Sequence, residues 1–87
     1  MTVHEATALV PDGVGLHARP AALFVQKAAG FAAAIRVTCG DRTADGKSIL
    51  GVLQLGAAAG SLVTIQAEGG DAEEAAEQLA AFIRQIA

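Results

Sequence analysis

Tryptophan and tyrosine are absent, and three phenylalanines (Phe24, Phe31, Phe82) are the only aromatics in 87 residues. A base-stacking platform for single-stranded nucleic acid needs more π-faces than that. Basic residues are also few, with six Lys and Arg against nine Asp and Glu, a formal net charge of −3. A non-specific polyanion binder needs the opposite balance. A single cysteine, Cys39, leaves no partner for an intrachain disulfide and suits a reducing compartment. With one Cys and two widely spaced histidines, His4 and His17, the spacing of a zinc site is missing, and no metal is expected.

Long apolar runs are scarce too. The first ten residues carry neither a basic stretch nor an apolar core, so no signal peptide is expected. Ser48 to Ala67 is uncharged and about as long as the roughly 20 residues that span a bilayer. Gly51, Gly56, Gly60, Gln54, Ser61, Thr64 and Gln66 interrupt it, and a buried helix followed by a buried strand explains it better. Membrane insertion is not expected.

What is present is a short, alanine-rich chain with an apolar fraction of 53%. Its length predicts one domain over residues 1–87 with a thin core. Thr2 to Val10 reads as a strand closed by the turn residues Pro11-Asp12-Gly13. From Ala18 the period changes: Ala21, Phe24, Val25 and Ala28 make one helical stripe, with Pro20 tolerated in the first turn and Gly30 as a left-handed cap. Ala33 to Cys39 alternates as a half-buried strand, placing Cys39 with Ala33, Ile35 and Val37 as a core residue rather than a nucleophile. Gly40-Asp41 turns the chain into a short strand near Arg42 to Ala44.

Ser48 to Leu55 reads as a short helix with Ser48 as N-cap and Gly56 beyond its end. Leu62 to Ala67 is rich in β-branched residues and predicts a strand. Asp71 with Glu74 predicts a capping box, followed by the stripe Ala75, Ala76, Leu79, Phe82, Ile83 and Ile86. The order β-α-β-β-α-β-α predicts an α+β fold with helices over one sheet face.

Gly15-Leu16-His17-Ala18-Arg19-Pro20 falls at the predicted strand-to-helix junction. A helix N-terminus offers unpaired amides and a partial positive charge, and an anion there gains from both. A phosphoryl group on His17 would reach the amides that follow, Ala18 among them, and Arg19 can add charge-assisted hydrogen bonds. The dipole and Arg19 favour the neutral imidazole, which is the nucleophilic form. The residues alone leave a bland alternative: His17 as a mediocre helix cap and Arg19 as a solvated charge. Gly46-Lys47-Ser48 invites a nucleotide-binding reading, but five residues separate it from Gly40 where a P-loop needs four, and no long helix follows.

GLHARPA, from Gly15 to Ala21, resembles the active-site signature of the HPr family, the histidine-containing phosphocarriers of the bacterial sugar phosphotransferase system. The resemblance extends over nearly the whole chain. GLHARPAALFVQKAAGF is similar to the family's active-site loop and first helix, KSILGVLQLGA to its regulatory-serine segment and short helix, and VTIQAEG to its final strand. It implies an open-faced β-sandwich, a four-stranded antiparallel sheet covered on one face by three helices. It further implies that His17 accepts a phosphoryl group on Nδ1 from phospho-enzyme I, charged by phosphoenolpyruvate, and passes it to sugar-specific IIA components. Arg19 matches the arginine that contacts the phosphate.

Ser48 matches the serine that an ATP-dependent HPr kinase/phosphorylase modifies in many Gram-positive bacteria, which promotes catabolite repression through a transcriptional regulator. Ala22, Ile49, Leu50 and Leu53 match the apolar docking patch. A phosphate on Ser48 would place about two negative charges beside that patch. The family implies a cytoplasmic carrier rather than an enzyme in its own right, with no cofactor. An alternative output, a nitrogen-type branch or a co-effector acting through Ser48, keeps the same fold. Val14 stands where the family often has Asn or Ser, and the loop before His17 is a residue or two longer than usual.

Overall fold

The computed structural model describes residues 3–11 and 18–86. The predicted Pro11-Asp12-Gly13 turn, Val14 and the imidazole of His17 thus lie largely or wholly outside the described residues. The elements follow in the order β1 (Val3–Leu9), α1 (Ala18–Ala29), β2 (Ala34–Cys39), β3 (Arg42–Asp45), α2 (Ile49–Gln54), β4 (Leu62–Glu68) and α3 (Ala72–Gln85). The strands form one antiparallel sheet in the order β1-β4-β2-β3, with β4 inserted between β1 and β2.

Alternation decides which side each strand buries. Val63, Ile65 and Ala67 of β4 point into the core with Ile35 and Val37 of β2, while Leu62, Thr64, Gln66 and Glu68 face outward. The middle of the outward face is polar and ordered in rows, with Val3, Leu9 and Leu62 exposed at its ends. Register places Thr7, Thr64, Thr38 and Thr43 side by side across all four strands, and the Thr38 and Thr43 hydroxyls are 3.1 Å apart. The neighbouring row is Glu5, Gln66, Arg36 and Asp45, and the Gln66 amide donates to Glu5 Oε2 at 2.9 Å.

The helices cover the other face. α3 lies over β1 and β4, and α1 packs between α3 and α2. On α3, Ala72, Ala75, Ala76, Leu79, Ala80 and Ile83 are buried, and the four alanines let helix and sheet approach closely. On α1, Ala21, Phe24 and Ala28 are buried with Val25 at the margin. Phe24 meets Phe82 of α3 edge-to-face, ring centroids 6.1 Å apart, which joins the two helices through the largest side chain of the core. No helix among the described residues is long and apolar enough to cross a membrane. The Ser48–Ala67 stretch is α2, a connecting loop and β4.

Two sequence expectations are corrected here. Gly30 does not end α1 in a left-handed conformation; it is not among the glycines with positive φ. Its amide instead donates to the Lys27 carbonyl at 3.1 Å, a tightened final turn that any residue can adopt. Asp71 does occupy the N-cap position of α3, but its side chain caps nothing and forms no box with Glu74. Its carboxylate reaches instead to the α1–β2 turn and accepts from the amides of Ala32 at 2.9 Å and Ala33 at 2.8 Å. Glu74 accepts from Gln78 one turn on. Two adjacent amides on a neighbouring segment hold the carboxylate in place of the helix's own, and Gly69, at φ 139°, stands where a Cβ would come within 3.1 Å of the Ala33 Cα. Gly40 and Gly56, by contrast, take the positive φ expected of them, 64° each.

Candidate functional site

The site starts at the first turn of α1. Arg19 is exposed there, directly after the segment that carries His17, and Pro20 occupies a position whose amide needs no partner. No acidic side chain sits in this turn, so the helix's positive end keeps its field, and Lys27 complements the other end. An exposed guanidinium and a first turn free of acidic side chains both suit an anion.

Beside it runs an apolar surface made by α1 and α2. Ile49, Leu50 and Leu53 of α2 are exposed, Leu50 by 63%, while Val52 on the opposite side of the helix anchors it in the core. Ala22 of α1 is half-buried, and the neighbouring Leu23 is 46% exposed. Leu23 was not among the residues expected at this patch. It lies off the Ala21–Phe24–Ala28 stripe, and a large aliphatic side chain outside the buried face was the available signal.

Ser48 begins the helix that carries Ile49, Leu50 and Leu53. It is the N-cap of α2 in extended conformation, and its Oγ accepts from the Gly51 amide at 3.1 Å. Its own amide donates to the Asp45 carbonyl at 3.0 Å. The preceding residue is tied more firmly: Lys47 Nζ donates to the Phe31 carbonyl at 2.7 Å, and its amide donates to Asp45 Oδ1 at 2.9 Å. Lys47 is thus a strut under the α1–β2 turn, not a free phosphate-binding lysine, and Gly46 before it is wedged against Ile35. That geometry gives the nucleotide-binding reading no support.

The same turn also holds a carboxylate. The Ala32 amide, joined by the Ala33 amide and the charge of Lys47, holds the Asp71 carboxyl below its ordinary value of 3.8, with partial desolvation acting in the other direction. At the far end of α2, Arg42 Nη1 donates to the Gln54 carbonyl at 2.9 Å, a cation at a helix C-terminus. Cys39 is half-buried against the core edge and unpaired. His4 is half-buried on β1, opposite Ala67 of β4 and on the helix side of the sheet.

Comparison with known proteins gives the constellation its context. The family model for the PTS HPr component phosphorylation site matches residues 4–85. The phosphocarrier protein HPr of Vibrio cholerae is 47% identical over 72 residues, covering 83% of this chain and 85% of that one. A multiphosphoryl transfer protein of Xanthomonas campestris is 48% identical over 72 residues, but the match spans only 9% of that much longer protein. A crystal structure of an HPr from Bacillus anthracis superposes with a TM-score of 0.90 at 44% identity, covering 95% of this chain and 99% of that one. With fold, sequence and phosphorylation-site signature in agreement over nearly its full length, the chain belongs to the HPr family of phosphotransferase-system phosphocarriers.

Proposed function

We propose that the chain carries a phosphoryl group on His17 from phospho-enzyme I to sugar-specific IIA components in the cytoplasm. The observation that carries this reading is Arg19, exposed in an acid-free first turn of α1 immediately after the Gly15-Leu16-His17 segment. In the transfer the Nδ1 lone pair of neutral His17 attacks the phosphorus held on the donor. The bond from phosphorus to the donor atom breaks as the new P–N bond forms, and the donor atom leaves with the electron pair. The same exchange in reverse direction loads the acceptor. No water or cofactor is consumed. Arg19 neutralises the phosphoryl oxygens, and the α1 terminus supplies amides and field to the same charge.

Partner binding is assigned to Ala22, Leu23, Ile49, Leu50 and Leu53. Their exposed apolar area suits a small, quickly released interface rather than a permanent one. Ser48 supplies control. Its hydroxyl already occupies an N-cap acceptor position, so a phosphate there keeps an acceptor facing α2. It also sets about two negative charges against the docking patch, which repels an acidic phosphodonor. HPr kinase/phosphorylase and a transcriptional regulator complete the set of proposed partners.

Incubation with enzyme I and radiolabelled phosphoenolpyruvate tests the proposal. Acid-labile, alkali-stable label is expected on the wild type and none on His17→Ala. Arg19→Ala is expected to slow labelling at least tenfold with an unchanged circular dichroism spectrum, because its side chain supports no part of the core. Label that survives His17→Ala defeats the carrier assignment. Ser48→Asp accepting phosphate at the wild-type rate defeats the inhibitory role of Ser48.

A further inference from the structure

One peptide group at the α1–β2 turn is gripped from both ends by opposite charges. The Phe31 carbonyl accepts from Lys47 Nζ at 2.7 Å. The N–H of the same peptide unit, that of Ala32, donates to Asp71 Oδ2 at 2.9 Å, and the next amide, Ala33, donates to Oδ1 at 2.8 Å. An ammonium, a peptide dipole and a carboxylate thus stand head to tail, an arrangement in which each bond polarises the next. The two ends also attract directly: besides the Ala32 and Ala33 amides, the charge of Lys47 helps hold the Asp71 carboxyl below its ordinary value.

The line joins three elements. Asp71 is the N-cap residue of α3, the peptide lies between α1 and β2, and Lys47 directly precedes the N-cap of α2. Its cationic end therefore adjoins Ser48, which gains charge under the proposed regulatory role on which this inference rests. The surroundings of Ser48 offer a dianion little else. Asp45 brings a carboxylate and a carbonyl to the same turn, bonded to the amides of Lys47 and Ser48. Arg42 is engaged at the other end of α2, on the Gln54 carbonyl, and Arg36 points to the open face of the sheet. Along the chain Lys47 is the only Lys or Arg between Arg42 and Arg84. It also has room to move, because Ala32, Asp45 and Lys47 line one open hollow at the margin of the sheet.

We propose that Lys47 is a two-position latch: with Ser48 unmodified it grips the Phe31 carbonyl, and with a phosphate on Ser48 it swings to that phosphate and releases the turn. A compact ammonium on a flexible stem suits such an exchange, since it demands no planar, two-pronged approach. Two negative charges one residue away attract it more strongly than a neutral carbonyl does. Its departure leaves the Phe31 carbonyl to water and weakens the hold of Asp71 on Ala32 and Ala33. A modification at the start of α2 is thereby felt at the start of α3.

Phosphoserine installed at position 48 during translation tests this without any kinase. In the otherwise wild-type chain the phosphate is expected to speed water exchange of the Ala32 and Ala33 amides by about threefold or more. In Lys47→Met those amides are expected to be fast already, and the phosphate to add nothing, so the cycle isolates the contribution of Lys47. If Lys47→Met loses its fold, Lys47→Gln takes its place. The nitrogen resonance of the Lys47 ammonium is expected to shift when the phosphate is present. Amides unmoved by the phosphate overturn the latch, as does a loosening equally large in the Lys47 variant. Transfer from enzyme I, measured on the same samples, separates the two ideas. Slowed transfer with an unmoved turn removes the latch and keeps the inhibitory role of Ser48, whereas a loosened turn with wild-type transfer does the reverse.

Discussion

Asp71 illustrates how a single carboxylate can fasten two distant segments. Its charge is favoured by the Ala32 and Ala33 amides and by Lys47, so its pKa is lower in the folded chain than in the unfolded one. A depressed carboxyl contributes stability above its unfolded value of 3.8 and loses it as pH falls through the folded value. Asp71→Asn is therefore expected to be less stable than wild type at neutral pH, and the difference to shrink on acidification below 3.8. Urea unfolding at pH 7 and pH 3 reads this directly. Ser48 acts more locally. Ser48→Ala leaves the Gly51 amide without its acceptor and is expected to cost about 1 kcal/mol in the same measurement, with Ser48→Gly costing only a few tenths. The position of Ser48 was legible in the sequence because an N-cap and its partner lie three residues apart. The partners of Asp71 were not, because Ala32 and Ala33 stand 39 and 38 residues away and no local pattern marks them.

Among the elements, α2 divides its duties most sharply. Val52 is buried, whereas Leu50 is largely exposed on the turn before it. Leu50→Asp is expected to change stability by no more than about 0.5 kcal/mol, since it alters no packed contact. It is expected to slow phosphoryl transfer from enzyme I several-fold, through docking, in a steady-state transfer assay. α1 and α3 were legible as helices because their apolar residues recur at three and four, and the buried sets Ala21–Phe24–Ala28 and Ala75–Ala76–Leu79–Ile83 follow that recurrence. The edge role of β1 was not legible. Its residues alternate like those of any half-buried strand, and only the insertion of β4 between β1 and β2 leaves it outermost.

For the whole molecule, an alanine-rich core means that few large side chains hold many contacts. Phe24 is the largest fully buried side chain and bridges α1 to Phe82 on α3. Phe24→Ala is expected to cost about 3–5 kcal/mol, a large share of the roughly 5–15 kcal/mol typical of a domain. Chemical denaturation should show a midpoint shifted well below wild type. The segment proposed to carry the phosphoryl group is compact in the sequence, with His17 and Arg19 both lying within Gly15 to Pro20.

The residues that pack the interior and those proposed to meet other proteins are separate sets even where they share a helix: Phe24 is buried next to exposed Leu23, and Val52 is buried between Leu50 and Leu53. Drift at the outward positions can therefore retune which proteins are recognised while the scaffold keeps its thermodynamic margin. A carrier that must serve many clients in turn gains room to acquire new ones without first becoming more stable.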